Sequence, residues 1–204
     1  MYGLKYIPDL GSQEKNDQDY PYIWKEVAQE FSVRNHEVLR DQLLSIKDRC
    51  DVILEIGVAR NGEQSSFKSI VENKKNDAIY LGVDIEDRSW IADIPNNIYF
   101  VMTNSSHTKF IMDEVERLSG KREIDLLHID GWHSVNQIVD DFKFAEYLSP
   151  HGIIVCHDTS AHPGPIELFK ALDEDVFVGQ TFFSERNDDW GIGIIKRVAA
   201  DALE

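Results

Sequence analysis

The chain is poor in three features that would assign it to a specialised class of protein. It has only two cysteines, Cys50 and Cys156. Because Cys156 lies in an apolar strand pattern, we expect reduced, buried thiols rather than a disulfide. No apolar run approaches the ~20 residues that a membrane-spanning helix needs. Residues 1–20 lack a basic stretch followed by an apolar one, so they do not resemble a secretory signal. These absences predict a cytoplasmic protein.

Positive charge is also scarce. There are 21 Lys and Arg residues against 37 Asp and Glu residues, which gives a net charge of −16. Because nucleic-acid affinity depends on clustered Lys and Arg, this balance argues against a nucleic-acid partner, and it also argues against an anionic membrane surface. A small neutral substrate or a cation fits the charge better. The sequence is compatible with a homo-oligomer.

Short apolar runs alternate with helical patterns along most of the chain. This alternation predicts an α/β protein with a Rossmann-like, doubly wound, mostly parallel seven-stranded sheet and an antiparallel strand pair at the C-terminal end. Residues 150–152, Pro-His-Gly, are predicted to turn the chain into the fifth strand. The predicted strands are 51–57, 79–84, 98–102, 126–129, 153–156, 176–183 and 190–196. Two helices are predicted between residues 22 and 47. Further helices are predicted at 62–73, at 106–118, from Ser134 onwards, and from Pro165 to 171.

The pattern divides the chain into two parts. Residues 1–48 are predicted to form an N-terminal arm and helices that act as a lid or cap, and residues 49–200 are predicted to form the catalytic domain. The first twenty residues are polar and show no period. They fit either a flap over the site or a terminus with no role, and both interpretations stay open.

A glycine turn and an acid follow the first two strands. Gly57 comes directly after the first strand and Gly62 stands at a helix entrance, where a backbone can turn tightly and a ligand can approach closely. Asp84 ends the second strand, where a carboxylate can accept hydrogen bonds from both hydroxyls of an adenosine ribose. The alternatives are an ordinary strand-to-helix turn and an aspartate that caps its own turn.

The stretch 124–159 carries two acidic turns, each at the end of a predicted strand. Asp130 and His133 follow one strand, and His157 and Asp158 follow the next. If these strands are parallel neighbours, all four side chains meet at the carboxyl edge of the sheet, where open α/β sheets bind their ligands. Two carboxylates and an imidazole, from Asp130, Asp158 and His157, are enough for an open metal site. His133 would then serve as the general base, since imidazole accepts protons near neutral pH.

The order of these motifs resembles the class I S-adenosylmethionine-dependent methyltransferases. The motifs HIDGWHS, LSPHG and CHDT resemble, more narrowly, the metal-dependent small-molecule O-methyltransferases, which include macrolide-sugar O-methyltransferases and the proteins named cephalosporin hydroxylases. The resemblance covers roughly residues 50–160. It implies metal-dependent transfer of a methyl group from S-adenosylmethionine to a hydroxyl of a small molecule, such as a sugar of a natural product.

The resemblance also implies roles for individual residues. Glu55 and Gly57 would lie near the methionine end of the cofactor, with Gly62 and Asp130 beside it, while Asp84 would contact the ribose and Asn104 the adenine. The cation would be magnesium, held by Asp130, His157 and Asp158, with His133 as the base. The chain departs from the family at three places. It has Gly62-Glu-Gln-Ser65 where the family often has Gly-Gly-Ser, and Thr103-Asn104-Ser105 where many relatives have Gly-Asp-Ser. It has His157 where the relatives have an acid. Two interpretations of His157 stay open: it either supports the ligands without touching the metal, or it binds the metal and shifts the preference towards Mn²⁺ or Fe²⁺.

Two other functions fit the same residues. A metal-dependent hydrolase could use the two acidic turns but has no use for Asp84 or the glycine turn. A non-catalytic protein that binds S-adenosylmethionine would need only the glycine turn and Asp84. Among the remaining candidates, His162 and Trp132 are close enough to the acidic turns to line a pocket, although single histidines and tryptophans serve more often in hydrogen bonding or packing.

Overall fold

The structure is a computed structural model that describes residues 2–8, 31–58, 65–160, 162–182 and 189–198. Helices and strands alternate along the described chain, and short 3-10 segments precede β1, β3 and β5. The helices are α1 (Val33–Ile46), α2 (Ser66–Asn73), α3 (Thr108–Ser119), α4 (Val135–Phe142) and α5 (Pro163–Ala171), and the strands are β1 (Val52–Ile56), β2 (Ile79–Asp84), β3 (Ile98–Met102), β4 (Ile124–Ile129), β5 (Leu148–His157), β6 (Phe177–Phe182) and β7 (Ile192–Arg197).

The seven strands form one sheet in the order β3-β2-β1-β4-β5-β7-β6. Strands β1 to β5 are mutually parallel, and β7 runs antiparallel to both β5 and β6. This confirms the predicted doubly wound sheet with an antiparallel C-terminal pair. The chain order reverses at β1, so the carboxyl ends of β1 and β4 flank the position where such sheets bind ligands.

Alternate side chains of the strands enter two separate cores. On one face, residues such as Leu54, Leu127 and Ile154 pack with α3, α4 and α5. On the other face, residues such as Ile53 and Leu126 pack with α1 and α2. Helices cover both faces of the sheet, so the strands are buried on both sides and read as continuous apolar runs in the sequence.

One sequence prediction about secondary structure needs correction, and another is tested only in part. Of the two helices predicted between residues 22 and 47, the described residues contain one, α1, followed by a 3-10 turn, and residues 22–30 lie outside the described ranges. The predicted turn at residues 150–152 is part of β5, which begins at Leu148. The register with β4 shifts between Ile124 and Leu126, so Pro150 lies in an irregular part of the pairing, where strands tolerate proline.

The first described residues pack against the C-terminal half of the chain. The amide of Lys5 donates to the carbonyl of Ala171 at 2.8 Å, and Leu4 forms an isolated bridge with Leu172. Residues 9–30, which include most of the predicted arm, lie outside the described ranges. Both cysteines are buried and unpaired. In the described ranges no helix is long and apolar enough to cross a membrane.

Candidate active site

Backbone hydrogen bonds tie the carboxyl ends of β1, β2 and β4 together. The amide of Gly57 donates to the carbonyl of Val83 at 2.9 Å, and the amide of Asp130 donates to the carbonyl of Ile56 at 2.8 Å. Gly57 has a φ of +82°, and a Cβ atom there would lie 2.0 Å from the carbonyl oxygen of Asp130. Only glycine fits this junction, because any side chain would collide with backbone that cannot move aside.

A cleft of about 380 Å³ opens at this edge of the sheet, beside Gly57. Four residues predicted to bind the cofactor line it, namely Gly57, Asp84, Asn104 and Asp130. The side chain of Trp132 is 56% exposed and forms part of the wall. The cleft therefore gathers residues from the ends of β1, β2, β3 and β4 into one concave site.

The carboxylate of Asp84 faces the cleft and also holds two backbone segments. Its Oδ2 accepts a hydrogen bond from the amide of Val58 at 3.0 Å, and its Oδ1 accepts one from the amide of Glu86 at 2.8 Å. The guanidinium of Arg88 lies 3.8 Å away. Asp84 thus caps its own turn, as the alternative interpretation expected. Each carboxylate oxygen has a further lone pair, so the ribose role stays a compatible prediction.

Glu55 is not among the described residues that line the cleft. Glu55 is fully buried on the face covered by α1 and α2, where its carboxylate accepts hydrogen bonds from Ser66 and Tyr80. The ring of His128 lies 3.2 Å from the same carboxylate. The structure therefore places the Glu55 side chain in the core, and its role towards the cofactor stays a prediction. Gly62 lies outside the described residues.

The side chains of the two acidic turns come together where β4 and β5 end. His157 Nδ1 lies 3.2 Å from Asp130 Oδ1 and 3.0 Å from Asp158 Oδ1. His133 Nε2 lies 2.5 Å from the other oxygen of Asp158. The potential ligand atoms of Asp130, His157 and Asp158 all lie within 4.8 Å of one another. The structure brings the four residues together, and their chemical roles stay predictions.

Charge pairing dominates the electrostatics of this cluster. Burial alone would lower the pKa of His157, but the carboxylates of Asp158 and Asp130 outweigh it and hold that pKa well above its usual value. Burial would likewise raise the pKa of Asp158, but His157 and His133 hold it far below its usual range. Asp158 also has a φ of +62°, a left-handed conformation that Asp adopts more readily than most residues.

Helix α1 supports the cluster from one face of the sheet. The side-chain amide of Asn35 contacts His157 Nε2 at 2.9 Å, and the ring of Phe31 lies 4.9 Å from the imidazole. Ser32 caps α1 and donates to Asp189 at 2.6 Å, which ties the helix to the segment before β7. A buried His157 with a partner on each nitrogen has a fixed ring orientation, as histidines in metal sites usually have.

Helix α5 supports His133 from the other side. Its first turn lies so close that a Cβ on Gly164 would be 2.5 Å from the carbonyl oxygen of His133. The ring of His162 stacks on that of His133, with centroids 4.1 Å apart and planes 29° apart. His133, Asp158 and His162 also lie within ligand distance of one another. Lone pairs of imidazole lie in the ring plane, so two stacked rings do not point at one ion, and the stack favours a positioning role for His162.

A buried carboxylate lies beneath the far end of the cleft. Asp141 is fully buried and accepts hydrogen bonds from Ser105 Oγ at 2.6 Å and from Gln137 Nε2 at 2.9 Å. Burial raises the pKa of Asp141 to about 6, although both hydrogen bonds lower it. Ser105 and Gln137 line the cleft. Asp141 therefore holds part of the cleft wall without facing the solvent.

We expect Asp141→Asn to stabilise the protein at about pH 8. The pKa of Asp141 is raised to about 6 in the fold, above the ordinary aspartate value, so the folded state binds the extra proton. As the pH rises from the ordinary aspartate pKa to about 6, Asp141 therefore lowers the free energy of unfolding, by about 3 kcal/mol at most. Urea unfolding of wild type and variant should differ most at about pH 8 and converge near pH 4. A difference in unfolding free energy that does not depend on pH would contradict the prediction. Asp140→Asn, at the adjacent residue, is the control.

The doubly wound fold and the cleft at its carboxyl edge agree with the class I S-adenosylmethionine-dependent methyltransferases, the class that the family model and the similar structures also indicate. The chain belongs to the family described as "Methyltransferase domain", whose sequence model matches residues 54–159. The match begins in β1 and ends just after Asp158, so it spans the glycine junction and both acidic turns. No curated protein sequence matches the chain.

Three solved structures resemble the chain at low sequence identity. MycE methyltransferase from the mycinamycin biosynthetic pathway, in complex with Mg, SAH and mycinamycin VI, gives a TM-score of 0.56 at 14% identity over 79% of this chain and 48% of MycE. CalS11, a TDP-rhamnose 3'-O-methyltransferase of calicheamicin biosynthesis, gives a TM-score of 0.57 at 14% identity over 81% of this chain and 81% of CalS11. A putative rRNA methylase from Clostridium thermocellum gives a TM-score of 0.59 at 13% identity over 80% of this chain and 95% of the methylase. The chain spans about half the length of MycE, and these likenesses establish the fold.

The sequence pattern does not reveal every residue of the site. Asn35 gives no signal, because it lies in a polar stretch of α1 far from the motifs. His162 is expected close to the acidic turns, but its stacking on His133 is a tertiary contact that the spacing does not show. Ser134 and Gln137 have the spacing of a capping box. Ser134 does accept a hydrogen bond from the amide of Gln137, but the Gln137 side chain turns to the cleft wall instead.

Proposed function

We propose that the chain transfers a methyl group from S-adenosylmethionine to a hydroxyl group of a small molecule, with the help of a divalent cation. One observation carries this proposal. Asp130 belongs both to the cleft beside Gly57 and to the cluster with His157 and Asp158. A methyl donor in the cleft and an acceptor hydroxyl at the cluster would therefore be neighbours, as group transfer requires.

The cleft suits the proposed cofactor. The close approach at Gly57 leaves bare backbone at the sheet edge, Asp84 offers acceptor lone pairs for hydroxyl groups, and Trp132 offers an aromatic wall. A pocket of about 380 Å³ falls within the usual range for sites of small organic ligands. These features support S-adenosylmethionine as the ligand of the cleft.

The acidic cluster suits a divalent cation. Asp130, His157 and Asp158 supply two carboxylates and one imidazole within reach of a common centre, and Asn35 and His133 hold these ligands in place. When bound, the cation would orient the acceptor hydroxyl and favour loss of its proton. Mg²⁺ is the expected ion, and the imidazole of His157 extends the preference to Mn²⁺ and Fe²⁺.

His133 is the proposed general base. Its ring is partly exposed, with 22% of the side chain accessible, so it can reach a bound acceptor. The carboxylate of Asp158 fixes the ring and would stabilise the imidazolium that forms when His133 takes the hydroxyl proton. The two oxygens of Asp158 face different histidines, so one carboxylate can serve both the base and the cation.

The net charge of the chain and the named substrates of similar structures support one class of methyl acceptor. A net charge of −16 disfavours a nucleic-acid acceptor such as ribosomal RNA. CalS11 is named for the 3'-hydroxyl of a rhamnose sugar, and MycE was solved with mycinamycin VI. A sugar hydroxyl of a natural product is therefore the acceptor class that we propose for this chain.

The test combines binding and turnover. We expect SAH to bind in calorimetry, methyl transfer to a panel of glycosylated natural products to stop after chelation, and Mg²⁺ or Mn²⁺ to restore it. His133→Gln should lower kcat by about 100-fold to 1,000-fold with unchanged SAH affinity. His151→Gln, at the opposite end of β5, is the control for changing a histidine. Full activity in the presence of chelator would refute the cation role, and SAH binding without any turnover would indicate a non-catalytic protein.

A further inference from the structure

The hydrogen bonds of the cleft wall fix which way one amide side chain points. Gln137 Nε2 donates to Ser105 Oγ at 2.8 Å and to Asp141 Oδ1 at 2.9 Å. A primary amide nitrogen carries hydrogens and accepts no hydrogen bond, so the nitrogen and not the oxygen faces these two acceptors. The remaining polar atom of the side chain, Oε1, is an acceptor, and Gln137 lines the cleft.

The orientation of this amide follows from the chemistry of its partners. Ser105 donates its single hydroxyl hydrogen to Asp141 Oδ1 at 2.6 Å, so its oxygen can only accept from Gln137. An ionised Asp141 is also an acceptor only. If the amide were reversed, its oxygen would face the oxygens of both Ser105 and Asp141 at about 2.9 Å, with no hydrogen between them. The carboxylate therefore excludes the reversed amide.

A donor of complementary kind lies after β3, on the same cleft. Asn104 Oδ1 accepts a hydrogen bond from the amide of Ser106 at 2.8 Å, which closes a tight turn after β3. Its side-chain nitrogen is then the group that remains for a ligand. Asn104 is exposed and lines the same cleft. The wall thus offers a fixed acceptor on α4 and a fixed donor after β3.

We propose that Gln137 Oε1 recognises the 6-amino group of the adenine ring of the cofactor, with Asn104 Nδ2 donating to an adjacent ring nitrogen. Asp141 and Ser105 are positioning residues that keep the acceptor pointed into the cleft. The proposal rests on S-adenosylmethionine as the cofactor and adds a means of distinguishing adenine from 6-oxo purines. A 6-oxo purine carries an acceptor where adenine has its amino group, so it would face Gln137 Oε1 without a hydrogen.

The measurement is a ratio of two dissociation constants. Calorimetry at about pH 8, where Asp141 is ionised, would compare SAH with S-inosylhomocysteine, which has oxygen in place of the 6-amino group. We expect the wild type to prefer SAH by about 30-fold or more, because a site built for a hydrogen bond rejects a ligand that cannot make it. Gln137→Met removes the acceptor at similar size and should reduce the preference to below about fivefold. Gln180→Met, on the edge strand β6, should leave it unchanged.

A matched pair of substitutions tests the positioning residue. Both hydrogen bonds reach the same oxygen of Asp141, so Asp141→Asn keeps an acceptor there and should retain most of the preference for SAH. Asp141→Leu has similar volume and no acceptor, which frees the amide of Gln137 to rotate. We expect this variant to lose most of the preference while it still binds SAH. Loss of affinity for both ligands alike would indicate a merely structural role and overturn the proposal for Asp141.

The outcomes separate this inference from the proposed function. If neither ligand binds the wild type, S-adenosylmethionine is not the cofactor and the proposed function fails with it. If SAH binds with the expected preference and Gln137→Met retains that preference, the cofactor assignment stands and the role of Gln137 is wrong. If the wild type binds both ligands equally well, the cleft does not recognise the 6-position, which also overturns the inference.

Discussion

Asp158→Asn is expected to lower kcat by about 1,000-fold while the protein stays folded. The substitution keeps the shape of the side chain, and Asn tolerates the left-handed conformation at this position, with a φ of +62°. What it removes is the negative charge that pairs with His157 at 3.0 Å and with His133 at 2.5 Å. The base would lose its orienting partner and the proposed cation would lose a ligand.

Three measurements would check this expectation. Turnover should fall, calorimetric affinity for SAH should stay within about threefold, and affinity for Mn²⁺ should fall by about tenfold or more. The control is Asp125→Asn, because Asp125 is also buried but lies at the opposite end of β4, where it accepts hydrogen bonds from Asp51, Val52 and Ser149. That variant should lose stability and keep its activity per folded molecule. Wild-type turnover in Asp158→Asn would refute the proposed mechanism.

Gly57→Ala is expected to be the most damaging small substitution in the described chain. A methyl group there would lie 2.0 Å from the carbonyl oxygen of Asp130 and 2.8 Å from the amide of Gly131. Both contacts are with backbone at the junction of β1 and β4, so relief requires that the strands separate. Strain from the positive φ and overpacking each cost about 1–3 kcal/mol. We expect a loss of about 3–5 kcal/mol in the free energy of unfolding, together with loss of SAH binding.

Gly120→Ala serves as a control that has the backbone strain of a positive φ without the steric collision found at Gly57. Gly120 ends α3 with a φ of +73°, but apart from its chain neighbours no described residue has an atom within 4 Å of the position that its Cβ would take. This variant should lose only the strain contribution, about 1–2 kcal/mol, and should bind SAH normally. Urea unfolding curves and calorimetry of the two variants give the comparison. Equal losses for both would mean that the close approach at Gly57 has no energetic importance.

The sheet could be predicted because its strands carry a strong local signal. The runs that became β1, β2 and β4 are apolar on both faces and end in Gly57, Asp84 and Asp130, so both the strand and its end are visible in the sequence. The convergence of the two acidic turns then follows from parallel pairing of β4 and β5. Residues at strand ends are predictable in this way because the sheet itself decides which of them become neighbours.

Contacts made by helix faces could not be predicted to the same degree. Asn35 reaches His157 only because α1 lies over the ends of β4 and β5, and the packing position of a helix is a tertiary property. Gln137 turns to Asp141 because a buried carboxylate competes with the capping geometry that the local sequence favours. The start of β5 was misplaced for a similar reason. Pro150 and Gly152 are typical of turns, yet a bulge places them within the strand.

The position of β7 between β5 and β6 has a consequence for how the protein forms during synthesis. β7 is made after β6 but lies between β5 and β6 in the sheet, so among the described strands β6 has no neighbour to pair with until β7 has been made. The segment that leads into β7 also supplies the carbonyl of Gly191, which accepts a hydrogen bond from the amide of Asp158 at 2.9 Å. A growing chain can thus form the strands around the cleft first. The histidine and acid cluster gains its contact with the segment before β7 only after that segment has been made.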